Sequence, residues 1–265
     1  MNTESKSAPQ NIFVCGAVGS GNTFMFNCLT QDNDSYGVNE DALGTTLHRL
    51  VESEREMGKC PHSVEAFGQF LSLLRGDRQT LVLKTPSNLR HAALISRLFP
   101  STIFIKMVRE PHAAITSGIA RHDSNASIEE NARRWLRDCD EIGNSSENSL
   151  VVAFEDLVQD PERVMKRISE SVKPLSDAVF TYAKRMHHPE RADSGRWKSK
   201  LDSAKQQQVE HWVAELKLKD AYESVLSNSI DGKMELPRRT VSAASTSPVA
   251  GLKRHFYRFW YKVVS

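Results

Sequence analysis

The sequence predicts an α/β fold of three layers, in which helices cover both faces of a central, mainly parallel β-sheet. Short apolar runs alternate along the chain with longer segments that have helical periodicity. Because parallel strands need connections long enough to cross a face of the sheet, this alternation is typical of βαβ units. A glycine-rich loop also separates the first apolar run from the first helical segment, and charged residues directly follow two later runs.

The predicted strands lie at four short apolar or β-branched runs, which are residues 12–15, 80–83, 102–108 and 149–153. The first helix is predicted to begin near Asn22, and further helices are predicted at residues 88–98, 112–121 and 128–142. Pro111 precedes one of these helices, and proline is well tolerated in a first helical turn. The chain after Pro161 is predicted to be mostly helical.

The loop after the first strand, residues 16–23, reads Gly-Ala-Val-Gly-Ser-Gly-Asn-Thr and is typical of a phosphate site. Glycines let backbone N–H groups close around an anion, and the helix that follows adds the positive end of its dipole. A nucleotide triphosphatase has lysine where this chain has Asn22, so the loop predicts phosphate binding without ATP hydrolysis. We therefore expect a P-loop NTPase-like fold whose ligand lies beyond the carboxyl ends of the strands.

Composition limits the function classes. The 265 residues include 35 Lys and Arg and 33 Asp and Glu, and this near balance argues against general nucleic-acid binding. The four cysteines have no C-x-x-C spacing and are expected to be free thiols in a reducing compartment. No His and Cys cluster has metal-site spacing, so no metal is expected. Without a signal-like N-terminus or a long apolar run, we expect a cytoplasmic, bacterial protein.

One domain is predicted over residues 11–230, after a disordered N-terminus at 1–10. Residues 231–265 are predicted to form a flexible linker and a basic, aromatic C-terminal tail. The simplest interpretation of the tail is a terminal helix that packs on its own domain. The alternative is peripheral contact with the inner face of a membrane, because basic and aromatic residues together are typical of interfacial helices.

Three segments in this order resemble the sulfotransferase superfamily. The loop at 16–23 is similar to the 5′-phosphosulfate loop of that family. Residues 108–111 (Val-Arg-Glu-Pro), with Ser117 eight positions beyond Arg109, are similar to its 3′-phosphate motif. Residues 195–198 (Gly-Arg-Trp-Lys) resemble its late basic loop. The resemblance spans about residues 11–201 and implies 3′-phosphoadenosine 5′-phosphosulfate as the donor.

The resemblance assigns most candidate site residues to this donor. The 3′-phosphate distinguishes the donor from ATP and is suited to a forked guanidinium with a hydroxyl beside it, here Arg109 and Ser117. The late basic loop would add Arg196, Trp197 and Lys198. The glycine-rich loop would hold the 5′ end through Gly19, Ser20, Gly21, Asn22 and Thr23.

The chain departs from the family at Gly19, where lysine or arginine usually contacts the leaving group. Lys84, in a Lys-Thr-Pro segment after a predicted strand, is the expected replacement for that cation. Glu40 is the predicted base that accepts the acceptor's proton, with Asp41 and His48 as alternatives. A purely structural role, in which Glu40 helps to cap the next helix, also stays open.

We therefore expect in-line transfer of a sulfuryl group to an acceptor hydroxyl, without a covalent intermediate. The expected acceptor is a carbohydrate or glycan-type substrate, with a lipid-linked glycan or a small metabolite alcohol as alternatives. Two other interpretations stay open. One is a non-catalytic member of the same fold that binds adenosine bisphosphate, since Gly19 removes a usual cation. The other is a P-loop kinase, which Asn22 disfavours.

Overall fold

The structure is a computed structural model that describes residues 10–40, 43–56, 62–121, 126–143, 148–185, 187–193 and 195–227. These residues form a five-stranded sheet in which every neighbouring pair of strands is parallel. The strands are β1 (Gln10–Gly16), β2 (Ser35–Asn39), β3 (Thr80–Lys84), β4 (Ile103–Val108) and β5 (Ser149–Ala153). Their order across the sheet is β2-β3-β1-β4-β5, which confirms the predicted α/β class and parallel sheet.

Helical segments connect all the strands and continue after β5. The first six helices are α1 (Asn22–Leu29), α2 (Leu43–Glu56), α3 (His62–Arg75), α4 (Ala92–Leu98), α5 (Pro111–Arg121) and α6 (Ile128–Gly143). The later five are α7 (Phe154–Gln159), α8 (Pro161–Ser171), α9 (Asp177–Arg185), α10 (Ser203–Glu215) and α11 (Leu218–Leu226). Short 3₁₀ segments lie at Pro86–His91, Pro189–Arg191 and Lys198–Lys200.

Two hydrophobic clusters, one on each face of the sheet, produce the layered arrangement. Phe13 and Phe104 point to one face, where they pack with helices that include α3, α5, α6 and α10. Ile12 and Ile105 point to the opposite face, where the cluster includes residues of α1, α7, α8 and α9. Neighbouring residues of a strand point to opposite faces, so strands covered on both sides read as continuous apolar runs. This explains why β1, β3, β4 and β5 were predictable.

Strand β2 was missed because its sequence lacks that signal. It reads Ser-Tyr-Gly-Val-Asn and lies at an edge of the sheet, where none of its residues is fully buried. The helix predicted at 88–98 also differs in detail. Its first part, Pro86–His91, is 3₁₀ and only Ala92–Leu98 is α-helical.

Parallel register places the ends of three strands side by side. Val14 of β1 pairs with Lys84 of β3, and Lys84 in turn pairs with Asn39 of β2. Gly16 at the end of β1 pairs with Met107 of β4, one residue before that strand ends. The glycine-rich loop, Glu40, Lys84 and Arg109 therefore all leave the same edge of the sheet.

Several sequence predictions fall on residues that the structure does not describe. These are the N-terminus before Gln10, the linker and tail at 231–265, the alternative base Asp41 and the fourth cysteine, Cys60. In the described ranges, Cys15, Cys28 and Cys139 are buried and form no disulfide bond. None of the helices within those ranges is long and apolar enough to span a bilayer. Nor do three or more His, Cys, Asp or Glu residues of those ranges cluster as a metal site would.

Candidate active site

The glycine-rich loop leaves β1 and ends at the N-terminus of α1 in a conformation that requires glycine at two positions. Gly19 has φ +85° and Gly21 has φ +86°, which is the left-handed region that other residues rarely adopt. A Cβ atom on Gly19 would lie 2.8 Å from the Ala114 carbonyl oxygen of α5. A Cβ atom on Gly21 would lie 2.5 Å from the Phe154 ring. Thus the absence of lysine or arginine at position 19 follows from this close packing.

Asn22, which stands where a nucleotide triphosphatase has lysine, holds the loop closed. Its Nδ2 donates to the Ala17 carbonyl oxygen at 3.1 Å, across the loop. The Asn22 Oδ1 and the Ser20 Oγ are buried and have no hydrogen-bond partner among the described residues. Buried polar atoms are nearly always paired in folded proteins, so these two fit a loop that contacts a polar ligand. Thr23, in the first turn of α1, is exposed.

Arg109 lies against the same loop from the end of β4. Its Nη1 donates to the Gly19 carbonyl oxygen at 3.1 Å, and its guanidinium stacks over the Phe154 ring at 4.1 Å from the centroid. The Trp135 indole fixes the backbone here by donating to the Arg109 carbonyl oxygen at 3.2 Å. A guanidinium held in one orientation is well suited to forked hydrogen bonds with an oxyanion.

Ser117, two turns into α5, is half-buried next to the loop. A Cβ atom placed on Gly19 would lie 3.4 Å from the Ser117 hydroxyl oxygen. The structure therefore brings Gly19, Arg109 and Ser117 into one neighbourhood. Their assignment to the 3′-phosphate stays a prediction.

The two residues predicted to carry the chemistry, Glu40 and Lys84, are in direct contact. Lys84 Nζ donates to Glu40 Oε1, and the Glu40 N–H donates to the Lys84 carbonyl oxygen at 2.8 Å. Lys84 ends β3 and its side chain is buried, whereas the Glu40 side chain is exposed. The alternative base His48 lies on α2, where its Nε2 is 3.2 Å from Glu52 Oε1.

The late basic loop predicted at residues 195–198 continues into the 3₁₀ segment Lys198–Lys200, and from here on the name covers residues 195–201. It packs on α5 through Trp197. The Trp197 indole is buried and stacks on the His112 imidazole, with centroids 5.0 Å apart and an angle of 20° between planes. Arg196 and Lys198 on either side are exposed, and Lys198 Nζ lies 3.5 Å from Glu210 Oε1. The loop thus packs on His112, three residues beyond Arg109. Among the described residues, no hydrogen bond joins Arg196 to the glycine-rich loop.

Two neighbours of the site were not singled out by sequence reasoning. The buried Asp138 of α6 accepts the Val18 N–H of the glycine-rich loop, and burial raises its pKa to about 6. Phe154, directly after β5, contacts both Gly21 and Arg109. Asp138 had no detectable signal, because an acidic residue in a charged amphipathic helix normally faces solvent. Phe154 could have been noticed as the residue that ends an apolar run.

Parts of the chain are similar in sequence to known sulfotransferases. The model of the Sulfotransferase family matches residues 52–173, a range that includes Lys84, Arg109 and Ser117. Protein-tyrosine sulfotransferase A of Caenorhabditis elegans is 28% identical over 133 residues, which are 45% of this chain and 34% of that protein. Protein-tyrosine sulfotransferase 2 of Gallus gallus is 33% identical over 120 residues, which are 40% of this chain and 30% of that protein. The chain therefore matches about a third of the length of these relatives.

A solved structure is also similar. The sulfotransferase STF9 from Mycobacterium avium aligns with a TM-score of 0.50 and 15% sequence identity, over 80% of this chain and 76% of that one. At this identity the likeness concerns the fold. The family model and the two relatives show similarity to sulfotransferases over less than half of the chain, and the solved structure shows a similar fold over most of it.

Proposed function

We propose that the protein transfers a sulfuryl group from 3′-phosphoadenosine 5′-phosphosulfate to an acceptor hydroxyl. The observation that carries this proposal is the convergence of two different features at one edge of the sheet. One is the glycine-rich loop, with Arg109 against it and with Ser20 Oγ and Asn22 Oδ1, which have no hydrogen-bond partner in the part of the chain that the structure describes. The other is the Glu40–Lys84 pair, which supplies a carboxylate and a buried ammonium. A site for anion binding alone would not need the second feature.

The donor would be held at both of its phosphate ends. Backbone N–H groups at the start of α1 have no partner within the helix and would face the 5′ end, together with Ser20 and Asn22. Arg109 and Ser117 would bind the 3′-phosphate, which ATP lacks. The exposed Arg196 and Lys198 of the late basic loop, which packs on the start of α5, would add positive charge.

The chemistry requires one proton acceptor and one cation. The acceptor oxygen would attack sulfur while its proton passes to the Glu40 carboxylate, and the bond between sulfur and the bridging phosphate oxygen would break. Negative charge would develop on the 5′-phosphate of the departing bisphosphate, where Lys84 would stabilise it. The bisphosphate leaves with the electron pair of the broken bond, so no covalent enzyme intermediate is needed.

We propose the acceptor to be a hydroxyl of a carbohydrate or glycan. Tyrosine in a protein is the second candidate, because the relatives are named protein-tyrosine sulfotransferases. The acceptor would enter on the side of α2, which follows Glu40. Helix α2 packs there against the turn after Lys84, with the Gly44 N–H 3.3 Å from Asn88 Oδ1.

The binding part of the proposal is tested by thermal unfolding with two matched ligands. Adenosine 3′,5′-bisphosphate should raise the melting temperature, whereas ATP should not, because ATP carries no 3′-phosphate. A ligand at 100 times its Kd stabilises by about 2.7 kcal/mol. The variant Arg109→Lys keeps the charge but loses the fork and should lose most of the shift. Arg133→Lys is the control, since Arg133 forms an exposed pair with Glu129 on α6.

The catalytic part is tested by donor turnover with a panel of saccharides and tyrosine-containing peptides. A sulfated product from any of them supports the enzyme. Bisphosphate binding without transfer to any acceptor would favour the non-catalytic alternative. Stabilisation by ATP, with none by the bisphosphate, would favour the kinase and overturn the proposed function.

A further inference from the structure

His112 links the late basic loop to the start of α5. Among the residues of that loop, Trp197 is the buried one, at 4% exposure, and the ring on which it stacks is His112. The neighbouring Arg196 and Lys198 are exposed, so they contribute little to holding the loop in place. The His112 imidazole therefore holds the middle of this loop, while Gln206 Nε2 of α10 holds its end by donating to the Lys198 and Leu201 carbonyl oxygens.

Both ring nitrogens of His112 face carboxylates. Nδ1 lies 2.5 Å from Glu110 Oε1, and Nε2 lies 3.1 Å from Glu210 Oε2 of α10. A neutral imidazole has one N–H, whereas the imidazolium has two and can donate to both oxygens. The His112 side chain is also buried, so its hydrogen bonds to the two carboxylates are shielded from water. The carboxylates of Glu110 and Glu210 therefore favour the protonated form of His112.

The two carboxylates extend this contact in opposite directions. Glu110 Oε2 accepts the Ala113 N–H at 3.0 Å, which fixes the first turn of α5 directly after Arg109. Glu210 Oε1 lies 3.5 Å from Lys198 Nζ in the late basic loop. One imidazolium therefore joins the start of α5 to the late basic loop by a stacking contact and by a second route through Glu210.

We propose that His112 is a positioning residue for the donor, which as an imidazolium holds the late basic loop beside the anion site of Arg109 and Ser117. The inference rests on the proposed function, because the donor is what this loop would cover. His112 itself touches neither the donor nor the reacting atoms.

The proposal has a pH dependence with a definite sign. Burial alone would lower the pKa of His112, but hydrogen bonds and charge from Glu110 and Glu210 outweigh burial and raise it. The other charged neighbours are Lys198, which contacts Glu210, and Glu155, which accepts the Glu110 N–H. With a raised pKa in the folded state, this stabilisation is complete below the ordinary histidine value. It is lost as pH rises through the raised value.

Hydrogen–deuterium exchange of the ligand-free full chain between pH 6 and pH 9 tests the loop directly, after correction for intrinsic exchange. Residues 195–201 should be protected at pH 6 and lose protection as pH rises. In His112→Gln, protection should be low and independent of pH. His188→Gln is the matched control, since His188 faces Glu190 at the surface, and it should behave like the unmodified chain. If residues 195–201 of His112→Gln were as well protected as those of the unmodified chain at every pH, the proposal would be overturned.

Calorimetric titration with adenosine 3′,5′-bisphosphate tests the donor part. His112→Gln should bind about 10-fold more weakly at pH 6, the loss expected for one charge-assisted contact, and the difference should shrink at high pH. Glu210→Gln leaves the hydrogen bond of Glu110 with the first turn of α5 intact and should show a smaller loss of affinity in the same direction. It replaces His112→Gln as the test if that variant does not fold. Absence of binding to the unmodified chain would overturn the proposed function. Binding of equal strength and pH dependence in all variants would overturn the role of His112 alone.

Discussion

Lys84 and Glu40 form an ion pair between the end of β3 and the residue that follows β2. The Lys84 side chain is 3% exposed and the Glu40 side chain 63% exposed, so the pair presents a carboxylate to solvent and an ammonium to the protein. Glu40 has φ +54°, an uncommon value for a residue other than glycine. Strained backbone of this kind is frequent at functional sites, and here it brings a carboxylate to the end of β3.

Replacing Lys84 with methionine should abolish most activity while leaving the fold intact. Methionine keeps the apolar stem of the buried side chain, and the Glu40 carboxylate that loses its partner is exposed, so no unpaired charge is left buried. We expect kcat to fall by about 10²- to 10³-fold, the usual effect of removing one group that stabilises developing charge. Steady-state kinetics and thermal unfolding check the two parts. Unchanged kcat would remove Lys84 from the chemistry.

Glu40→Gln should lower kcat in a way that depends on the acceptor. If Glu40 accepts the proton, an acceptor with an acidic hydroxyl, such as a nitrophenol, depends less on general-base catalysis than an aliphatic alcohol does. We expect a loss of about 10²-fold or more for the alcohol and a clearly smaller loss for the phenol. A loss of the same size for both acceptors would mean that Glu40 only orients Lys84.

The pairing of these two residues shows where sequence reasoning reached its limit. Lys84 could be placed at the edge of the sheet because β3 is a continuous apolar run, buried on both faces. The contact with Glu40 could not be predicted, because it depends on β2, an edge strand without an apolar run. The role of His112 could not be predicted either, because its contacts with Trp197 and Glu210 join residues that are distant in sequence.

Restoring the usual family cation with Gly19→Lys should impair the protein. The substitution places a Cβ atom 2.8 Å from the Ala114 carbonyl oxygen at a residue with φ +85°. We expect a loss of about 2–4 kcal/mol in the free energy of unfolding, because overpacking adds to backbone strain. Affinity for the bisphosphate should fall as well, since the loop must move.

Gly76→Lys separates the two causes of that loss. Gly76 has φ +57°, but no atom lies within 4 Å of the position of its missing Cβ. Only the backbone strain should appear there, at about 1–2 kcal/mol. Denaturant unfolding of both variants measures the difference. If Gly19→Lys is as stable as Gly76→Lys and raises kcat, the loop can accommodate the cation and our account of Gly19 is wrong.

Asp138→Asn should change the dependence of stability on pH. Burial raises the pKa of Asp138 from about 3.8 to about 6, although Arg90, Arg134 and Arg137 lower it in part. Between these values the folded state keeps a proton that the unfolded state has lost, so stability falls as pH rises from about 4 to about 6. Two units correspond to about 3 kcal/mol. Asparagine keeps an oxygen to accept the Val18 N–H and does not titrate.

Urea unfolding of Asp138→Asn and the unmodified chain at several pH values tests this expectation. The variant should gain stability relative to the unmodified chain as pH rises from 4 to 6, by up to about 3 kcal/mol. Above pH 7 the difference should stay constant, because Asp138 is then ionised in both states. Asp140→Asn is the control, because Asp140 lies two residues further along α6 on its exposed side. Its stability relative to the unmodified chain should not change between pH 4 and pH 6. Parallel stability curves for Asp138→Asn and the unmodified chain would contradict the raised pKa and the burial that causes it.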